Sequence, residues 1–234
     1  MRAGHDRRPS LPSGAEKARA VRSMFDAIAP RYDLLNRILS LGMDVGWRRR
    51  SVAALALPPG SVVVDVACGT GDLCNELERA GYRPVGVDYS PGMLAAAHTT
   101  APLLLADALA LPVAEGAADG ITCGFALRNV IDLERLFAEM ARVLRPGGRV
   151  SLLETAEPRG AIPRLVHHAY VNRVVPFIGG LLSDRKAYTY LPRSSAYLPS
   201  PEAMLGIIAA AGLTEVSRRL LGLGAAQLIT GTRA

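Results

Sequence analysis

Two apolar segments of the chain each end in an acidic residue, and a glycine turn follows the first. Val62 to Asp72 reads VVVDVACGTGD, and Val85 to Asp88 reads VGVD. Glycines let the backbone turn sharply and leave room for a ligand to approach it closely. A carboxylate after the second segment, Asp88, can accept both hydrogen bonds of a ribose diol. The pattern predicts a pocket for a cofactor that carries a nucleoside.

The residues around the glycine turn indicate which cofactor this is. A dinucleotide-binding loop would read G-x-G-x-x-G, but Cys74 stands at the position of the third glycine. Asp65 and Asp72 flank the turn, so both carboxylates would repel a pyrophosphate and attract a cation. S-adenosylmethionine (SAM) carries a sulfonium and an ammonium group and no phosphate. We therefore expect SAM rather than NAD(P) as the cofactor.

Ligands of an open parallel sheet bind beyond the carboxyl ends of its strands. The residues at or just after the predicted strand ends are the expected cofactor-binding residues: Asp65, Gly69, Thr70, Gly71, Asp88, Tyr89, Asp107, Ala108 and Gly124. Two of them have alternatives, since Asp65 could partner a helix N-terminus and Asp107 could cap a turn. The three cysteines show no CxxC and no pairing with histidine at metal-ligand spacing. We therefore expect no metal, and a reduced, cytoplasmic setting.

A sheet must bring these strand ends together, and apolar strands that alternate with helices predict one. The expected fold is α/β and Rossmann-like, with a mostly parallel, seven-stranded sheet that helices cover on both faces. The expected strands are 61–67, 84–88, 103–106, 119–125, 149–154, 214–221 and 226–232. The expected helices are 71–80, 91–98, 133–144 and 201–211. A short loop around Gly224 predicts that the last two strands form an antiparallel hairpin at the sheet edge.

One domain, residues 15–234, is expected after a basic, disordered tail at residues 1–14 that is rich in Arg, Pro, Ser and Gly. Residues 15–57 are expected to form an N-terminal helical cap, and residues 158–200 an inserted helical segment on the substrate side. The apolar run 174–182 could line a mouth for an apolar substrate, touch a membrane or pack in the core. Within the cap, five apolar residues fit one buried helix face: Leu34, Leu35, Ile38, Leu39 and Leu41.

The positive charge of the chain is concentrated near its N-terminus. Residues 1–50 hold 11 Lys/Arg against 5 Asp/Glu, whereas the other 184 residues hold 16 of each. A basic arm can meet anionic lipid, nucleic acid or an acidic partner, or remain solvated. Aromatic residues do not alternate with the basic ones, so nucleic acid is not an expected partner. No apolar stretch reaches the ~18 residues of a membrane span. We expect a cytoplasmic protein. The sequence leaves open whether it contacts the inner face of the membrane and whether it forms a homodimer.

Four segments resemble those of one known family. The first signature of the ubiquinone/menaquinone biosynthesis C-methyltransferases is similar to Met24-Phe25-Asp26-x-Ile28-Ala29-Pro30-Arg31-Tyr32-Asp33-x-x-Asn36, with Ser40 and Trp47. Phe125 to Val130 resembles the active-site stretch of that family, and Arg142 to Glu154 resembles its second signature. Ala187 to Pro192 resembles its late motif. The resemblance implies a class I SAM-dependent methyltransferase that methylates a ring carbon of a polyprenylated quinol.

The resemblance favours conversion of demethylmenaquinol to menaquinol. It leaves open the methylation of 2-polyprenyl-6-methoxy-1,4-benzoquinol in ubiquinone biosynthesis, or of another phenolic or lipid-like molecule. A SAM-binding subunit without enzymatic activity is the alternative from another class. The chain departs from the family pattern where Asp44 replaces a histidine and Gly124 a serine. Asp44 is expected to affect the choice of substrate more than the type of reaction.

Three residues of the resembling segments are the expected catalytic residues. Removal of a quinol hydroxyl proton makes the ortho ring carbon nucleophilic, so a base or a cation that favours the phenolate would help. Arg128 is expected at the pocket mouth, where it stabilises the phenolate or orients a water. Asn129 is expected to hold a quinol oxygen, and Tyr32 to bond a ring oxygen or cover SAM. The alternatives are a salt bridge from Arg128 to Asp132 and a packing role for Tyr32.

Overall fold

The computed structural model describes residues 14–158, 160, 165, 170 and 194–234. Its helices are α1 (Gly14–Ile28), α2 (Tyr32–Leu39), α3 (Met43–Leu55), α4 (Asp72–Arg79), α5 (Pro91–Ala95), α6 (Leu133–Val143) and α7 (Pro201–Ala210). Its strands are β1 (Val62–Val66), β2 (Arg83–Asp88), β3 (Leu103–Leu105), β4 (Ala118–Gly124), β5 (Leu144–Thr155), β6 (Leu213–Leu221) and β7 (Ala226–Arg233). Short 3₁₀ turns lie at Ala29–Arg31, Leu127–Asn129, Ser195–Tyr197 and Gly222–Gly224.

Within these described residues, the strands form one sheet in the order β3-β2-β1-β4-β5-β7-β6. β1 pairs in parallel with β2 on one side and with β4 on the other, so the strand order reverses there. β7 pairs antiparallel with both β5 and β6. The predicted seven-stranded, mostly parallel sheet and its edge hairpin are confirmed. The reversal opens a crevice at the carboxyl ends of β1 and β4, which is where open α/β sheets bind ligands.

Helices cover both faces of the sheet, which is why its central strands read as continuous apolar runs. Val64 and Val66 of β1 belong to one buried cluster with Phe137 of α6 and Ile208 of α7. Val63, which points the other way, belongs to a second cluster with residues of α3 and α4. Full burial of a large apolar side chain stabilises the fold by about 1.5–3 kcal/mol. These two layers therefore hold the strand ends rigidly.

Two element boundaries differ from the predictions in an informative way. α5 ends at Ala95 instead of reaching His98, because the chain leaves the helix and the His98 amide donates to the Thr70 carbonyl at 3.1 Å. β5 begins directly after α6, at Leu144, instead of after the glycine pair. Leu144 pairs with Ala118 of β4, so the Arg-Pro-Gly-Gly segment lies within an irregular part of the strand.

The prediction of one buried apolar face in the cap is wrong for most of its residues. Leu35 is fully buried, but Leu34 and Leu41 are 59% and 73% exposed and Ile38 is 36% exposed. α2 has only eight residues, so it presents one narrow stripe to the buried cluster below α1. Leu41 lies beyond the helix end, with a left-handed φ of 53°. These apolar side chains therefore form part of the outer surface of the cap.

Some expectations concern residues outside the described ones. These are the tail at residues 1–13, most of the inserted segment 158–200 and the apolar run 174–182. The division into tail, cap and insertion therefore stays a prediction. Gly14, which was expected in the tail, is the first residue of α1. No helix in the described part of the chain combines the length and apolar character needed to cross a bilayer.

Candidate active site

A cavity that is partly open to solvent lies between α1 and the carboxyl ends of the central strands, with about 930 Å³ of space that includes its open mouth. Eight of the twelve predicted site residues line it: Tyr32, Gly69, Asp88, Tyr89, Asp107, Ala108, Gly124 and Asn129. The other four, Asp65, Thr70, Gly71 and Arg128, are not among the lining residues. The sheet thus brings together residues that are far apart in the chain, as the strand-end argument predicted.

Asp88 ends β2 and joins it to the glycine turn. Its Oδ2 accepts a hydrogen bond from the Gly69 amide and its Oδ1 from the Ser90 amide, each at 2.8 Å. Burial raises the pKa of this carboxyl, and the amide hydrogen bonds oppose that increase. Each carboxylate oxygen can accept about two hydrogen bonds. Both oxygens therefore keep acceptor capacity for a diol in the cavity.

Asp107 and Ala108 follow β3 and line the cavity. The Asp107 Oδ1 accepts a hydrogen bond from the Leu109 amide at 2.9 Å. Asp107 therefore caps a local turn and also presents a carboxyl group to the cavity. The sequence suggested either a turn cap or a cofactor-binding residue here, and the position of Asp107 is compatible with both.

Two glycines of the predicted site lie close to neighbouring side chains. Gly124 ends β4, and a Cβ built on it would lie 2.7 Å from Leu73 Cδ1. A serine at this position would therefore require Leu73 to move. Gly71 has a φ of +91°, and a Cβ on it would lie 2.6 Å from Thr99 Cγ2. Gly71 serves the turn into α4 and does not line the cavity.

Asp65 is fully buried within β1 and does not reach the cavity. Its Oδ1 accepts a hydrogen bond from Thr122 Oγ1 at 2.7 Å, and its Oδ2 lies 3.6 Å from Cys74 Sγ. Burial raises the pKa of Asp65 to about 7. The carboxyl group thus links β1 to β4 and α4, and the expected contact between Asp65 and a ligand stays a prediction.

The other side of the glycine turn is tied to the cap by charged residues. Thr70 Oγ1 donates to Asp33 Oδ1 of α2 at 2.6 Å. His98 lies between two carboxylates, with Nδ1 3.4 Å from Asp33 and Nε2 3.3 Å from Asp72. Arg48 of α3 pairs with Asp72 at 3.2 Å. Thr70 and Asp72 therefore have protein partners here, and the role of Thr70 in cofactor binding stays a prediction.

Arg128 does not face the cavity mouth, contrary to the expectation. Its guanidinium is buried, pairs with Glu154 of β5, and donates from Nη1 to the Phe125 carbonyl at 2.7 Å. Its backbone amide donates to the other oxygen of Glu154 at 3.2 Å. Asp132, the alternative partner, instead caps α6. Arg128 thus stabilises the turn Leu127–Asn129 from below, on the β5 side.

Tyr32 and Asn129 reach the cavity from different elements, the first residue of α2 and the last residue of the turn after β4. Tyr32 lies over the glycine turn, since a Cβ built on Gly69 would be 3.9 Å from Tyr32 Cε1. Burial raises the pKa of Tyr32, while a side-chain hydrogen bond with Asn36 opposes the increase. The hydroxyl therefore stays protonated at neutral pH and can donate. The Asn129 carboxamide offers both a donor and an acceptor.

The sequence did not single out α1 as part of the site. This helix, which we call the roof, lines the cavity with one of its faces. The lining residues on that face are Ala18, Val21, Arg22 and Phe25. Arg22 Cζ lies 5.0 Å from the centroid of the Tyr89 ring. The spacing of these four positions is typical of one helix face and was a usable signal. Nothing in that spacing indicated which surface the face would cover.

The charges around the cavity suit a cationic cofactor. Asp88 and Asp107 are its acidic residues, and Arg22 is the one Lys or Arg among the described lining residues. Asp26 lies 4.0 Å from Arg22 and offsets its charge. Aromatic rings such as that of Phe25 complete the wall and can lie against a sulfonium. The prediction of a cationic cofactor agrees with this lining, but the reason given for it differs: Asp88 and Asp107 line the cavity, whereas Asp65 and Asp72 do not.

The family model described as the ubiE/COQ5 methyltransferase family matches residues 13–233. The chain belongs to this family. The resemblance found in the four segments is thereby confirmed over nearly the whole sequence. Methyltransferases of this family depend on SAM, which agrees with the acidic and aromatic lining of the cavity.

Curated members of the family align over almost their full length. A demethylmenaquinone methyltransferase from Thermus thermophilus is 46% identical over 220 residues, which cover 90% of this chain and 100% of the relative. A ubiquinone/menaquinone biosynthesis C-methyltransferase UbiE from Geobacter sulfurreducens is 38% identical over 240 residues, which cover 97% of this chain and 94% of the relative.

Solved structures show the fold of this family member. A SAM-dependent methyltransferase from Thermotoga maritima has a TM-score of 0.65 at 18% identity, over 91% of this chain and 99% of the other. Phosphoethanolamine N-methyltransferase 2 from Haemonchus contortus, in complex with S-adenosyl-L-methionine, has a TM-score of 0.57 at 15% identity, over 86% and 59% of the two chains. The predicted class I SAM-dependent methyltransferase fold is confirmed.

The departure at Asp44 from the family pattern has a structural explanation. Asp44 is buried, pairs with Arg48 and accepts a hydrogen bond from Ser40 Oγ at 2.7 Å. Burial would raise the pKa of Asp44, but these two partners lower it overall. Asp44 is not among the lining residues of the cavity, and its partner Arg48 pairs with Asp72 at the glycine turn. Its effect on the choice of substrate stays a prediction.

Proposed function

We propose that this family member is a SAM-dependent C-methyltransferase that converts demethylmenaquinol to menaquinol. The observation that carries the proposal is that Tyr32 and Asn129 line the same cavity as Asp88 and Asp107. The first pair are candidate partners of quinol oxygens, and the second pair are candidate partners of the cofactor. Direct methyl transfer requires donor and acceptor in line in one enclosed space. Relatives at 46% and 43% identity bear the name demethylmenaquinone methyltransferase.

The strand ends supply the cofactor side in this proposal. SAM, when bound, supplies an electrophilic methyl group. Asp88 would hold its ribose hydroxyls with the acceptor capacity left after bonding the Gly69 and Ser90 amides. Asp107 would hold the adenine amino group, since a carboxylate accepts from such donors. These contacts bind the cofactor and fix the direction of the methyl group.

The cap and the turn after β4 supply the acceptor side. Burial raises the pKa of Tyr32, so its hydroxyl donates a hydrogen bond to a quinol oxygen without giving up its proton. Asn129 would hold the second ring oxygen through its carboxamide. Holding the ring by two oxygens decides which carbon faces the donor. Alignment of this kind is worth on the order of 7–11 kcal/mol of the barrier.

Arg128 acts indirectly in this proposal. If the guanidinium moved away from Glu154 to contact the quinol, as the sequence led us to expect, it would leave a fully buried carboxylate without its cation. Separating a buried ion pair is strongly unfavourable. We propose instead that Arg128 maintains the turn Leu127–Asn129 and thereby presents Asn129 to the cavity.

Methylation of 2-polyprenyl-6-methoxy-1,4-benzoquinol is the second candidate activity. The relative from Geobacter sulfurreducens is named for both the ubiquinone and the menaquinone pathway. The relatives named for demethylmenaquinone alone have higher identity, 46% against 38%, which favours the naphthoquinol. Both reactions would use the same cavity residues.

We propose that the enzyme meets its apolar substrate at a membrane surface through the outer side of the cap. Leu34, Leu41 and Met43 are 59%, 73% and 41% exposed there, and the Arg37 side chain beside them is 49% exposed. Apolar side chains among basic ones bind anionic lipid interfaces. Co-sedimentation with phosphatidylglycerol vesicles should fall for Leu34→Ser/Leu41→Ser and persist for Leu223→Ser, on the turn between β6 and β7. Unchanged binding of the double variant would reject this surface.

The proposed activity is tested with purified protein, SAM and demethylmenaquinol, with the product identified by mass spectrometry. We expect menaquinol from the wild type. Asn129→Leu should lower kcat on the order of 10²-fold, because a hydrogen bond to a developing phenolate is lost. Its dissociation constant for SAM should change less than about threefold, because Asn129 serves the acceptor. SAM binding without formation of menaquinol by the wild type would overturn the proposal.

A further inference from the structure

The roof is attached to the rest of the molecule at both of its ends. At its C-terminal end, Asp26 Oδ1 accepts hydrogen bonds from the Ser90 hydroxyl and from the Gly92 amide, the latter at 2.9 Å. These two partners lie at the N-terminus of α5, directly after the candidate cofactor residues Asp88 and Tyr89. This end of the roof therefore closes over the cofactor side of the cavity.

Lys17 attaches the N-terminal end of the roof. Its side chain is buried, and its Nζ donates to the carbonyl oxygens of Arg128 and Val130 at 3.0 Å each. The same Nζ lies 3.6 Å from the centroid of the Tyr197 ring. Lysine is rarely buried without partners. Here one side chain joins α1 to two segments that lie more than 100 residues further along the chain.

The two acceptors of Lys17 are the carbonyl groups on either side of Asn129. An ammonium that holds both carbonyls fixes the peptide plane between Arg128 and Asn129 and the one between Val130 and Ile131. It thereby restrains the backbone on both sides of Asn129, and so the direction of its side chain. Arg128 restrains the same turn from the opposite side through Glu154. Asn129 is therefore presented to the cavity by a turn that is held from the roof and from the sheet.

Burial of Lys17 carries a cost that plain packing would avoid. The surroundings lower the pKa of its ammonium group to about 8, because burial disfavours the charged form. At neutral pH the group is still mostly charged and keeps three donors. An apolar side chain would cover the same surface without that desolvation. The position of the donors is thus the property that distinguishes lysine here.

We propose that Lys17 is a positioning residue of the methyl-transfer site, which closes the roof onto the turn Leu127–Asn129 and orients Asn129 toward the acceptor. The proposal rests on the proposed function and deepens it, since Asn129 is there the partner of the quinol. It divides the roof in two: the Lys17 end serves the acceptor, and the Asp26 end serves the cofactor.

The test compares Lys17→Met with Arg19→Met, which removes a positive charge from the exposed side of the same helix. For each variant we would measure SAM affinity by calorimetry, kcat and KM for demethylmenaquinol, and amide hydrogen exchange of residues 127–131. We expect Lys17→Met to lower kcat about 10- to 100-fold, as for the loss of hydrogen bonds from a charged donor. SAM affinity should change less than about threefold, and exchange at 127–131 should become faster. Arg19→Met should match the wild type in every measurement.

Wild-type kcat and wild-type exchange in Lys17→Met would overturn the proposal. A parallel loss of SAM affinity and kcat would also overturn it, since it would mean that Lys17 serves the roof as a whole. If Lys17→Met does not fold, Tyr197→Leu is the second variant, which removes the ring beside the ammonium. It should lower kcat and speed exchange at 127–131 by smaller amounts, with SAM affinity unchanged. Wild-type behaviour of this variant would reject the proposed role of Lys17. Hydrogen exchange needs no substrate, so it tests Lys17 even if the wild type does not methylate the quinol.

Discussion

The floor and the roof of the cavity are built in different ways. The floor consists of the carboxyl ends of β1, β2 and β4, where Asp88 accepts hydrogen bonds from two backbone amides and each strand is paired on both sides. The roof is one helix, α1, which a few long-range side-chain contacts hold at Asp26 and Lys17. The floor geometry is therefore fixed by the backbone, whereas the roof depends on single side chains. Substitutions in the floor should lower the stability of the fold or the affinity for the cofactor. Substitutions in the roof should weaken the contacts that hold α1 over the cavity.

The largest expected effect concerns the buried ion pair below the floor. Arg128→Met would leave Glu154 fully buried without its cation, which typically costs about 3–5 kcal/mol. Urea unfolding should show a loss of that size. The double variant Arg128→Met/Glu154→Gln should recover most of it, because the uncompensated charge is gone. A single variant as stable as the wild type would mean that the pair does not support the turn.

The second effect concerns cofactor binding at the floor. Asp88→Asn replaces one carboxylate oxygen by a donor that faces a backbone amide, and hydrogen bonds to charged groups are worth about 1.5–3 kcal/mol. We expect SAM affinity to fall on the order of 10²-fold in calorimetry. The matched control is Asp119→Asn, which removes a carboxylate that accepts from the Val62 amide at 2.7 Å, at the opposite end of β1. Equal loss in both variants would point to general destabilisation.

The third effect is a pH dependence of stability that arises from Asp65. Burial raises its pKa to about 7 in the folded protein, against 3.8 for an unperturbed aspartate. Between these values only the unfolded chain ionises, so this contribution to stability is greatest in acid and decreases as pH rises, by about 1.4 kcal/mol per unit. The wild type should therefore lose stability relative to Asp65→Asn between about pH 5 and pH 7. A difference that does not vary with pH would contradict the burial of a protonated carboxyl group.

The smallest effect is expected at the cofactor end of the roof. Asp26→Ala removes the acceptor of the Ser90 hydroxyl and the Gly92 amide. Each lost hydrogen bond is worth about 0.5–1.5 kcal/mol, so SAM affinity should fall about three- to tenfold with little change in stability. Glu16→Gln, an exposed substitution on the same helix, should have no effect. A change as large as that of Asp88→Asn would show that roof and floor cannot be separated.

The floor could be predicted from the sequence because its residues follow apolar strands directly. Asp88, Asp107 and Gly124 each lie at or next to a strand end, and parallel strands bring such residues to one edge. The partners of these residues could not be predicted in the same way. Asp65 lies at a comparable position, yet Thr122 of the neighbouring strand takes its carboxyl group. The order of the strands decides which residues are neighbours across the sheet, and no local sequence pattern predicts that order.

The roof shows where local patterns give no further information. The spacing of its lining residues indicates a helix face, but the contact between Lys17 and the Arg128 carbonyl spans 111 residues. The pairing of Arg128 with Glu154 likewise depends on β4 and β5 being neighbours in the sheet. The nearer acid, Asp132, was the natural partner by sequence and instead caps α6. Long-range side-chain contacts of this kind require the fold to be known.

We infer that floor and roof enclose one site where SAM methylates the ring carbon of a naphthoquinol. The most direct measurement offers the enzyme SAM with a deuterated methyl group, together with equal amounts of demethylmenaquinol and 2-polyprenyl-6-methoxy-1,4-benzoquinol. Mass spectrometry then locates the label in the products. We predict that the label appears on a ring carbon and mainly in menaquinol. Label on a quinol oxygen, or label mainly in the benzoquinol product, would contradict the claim.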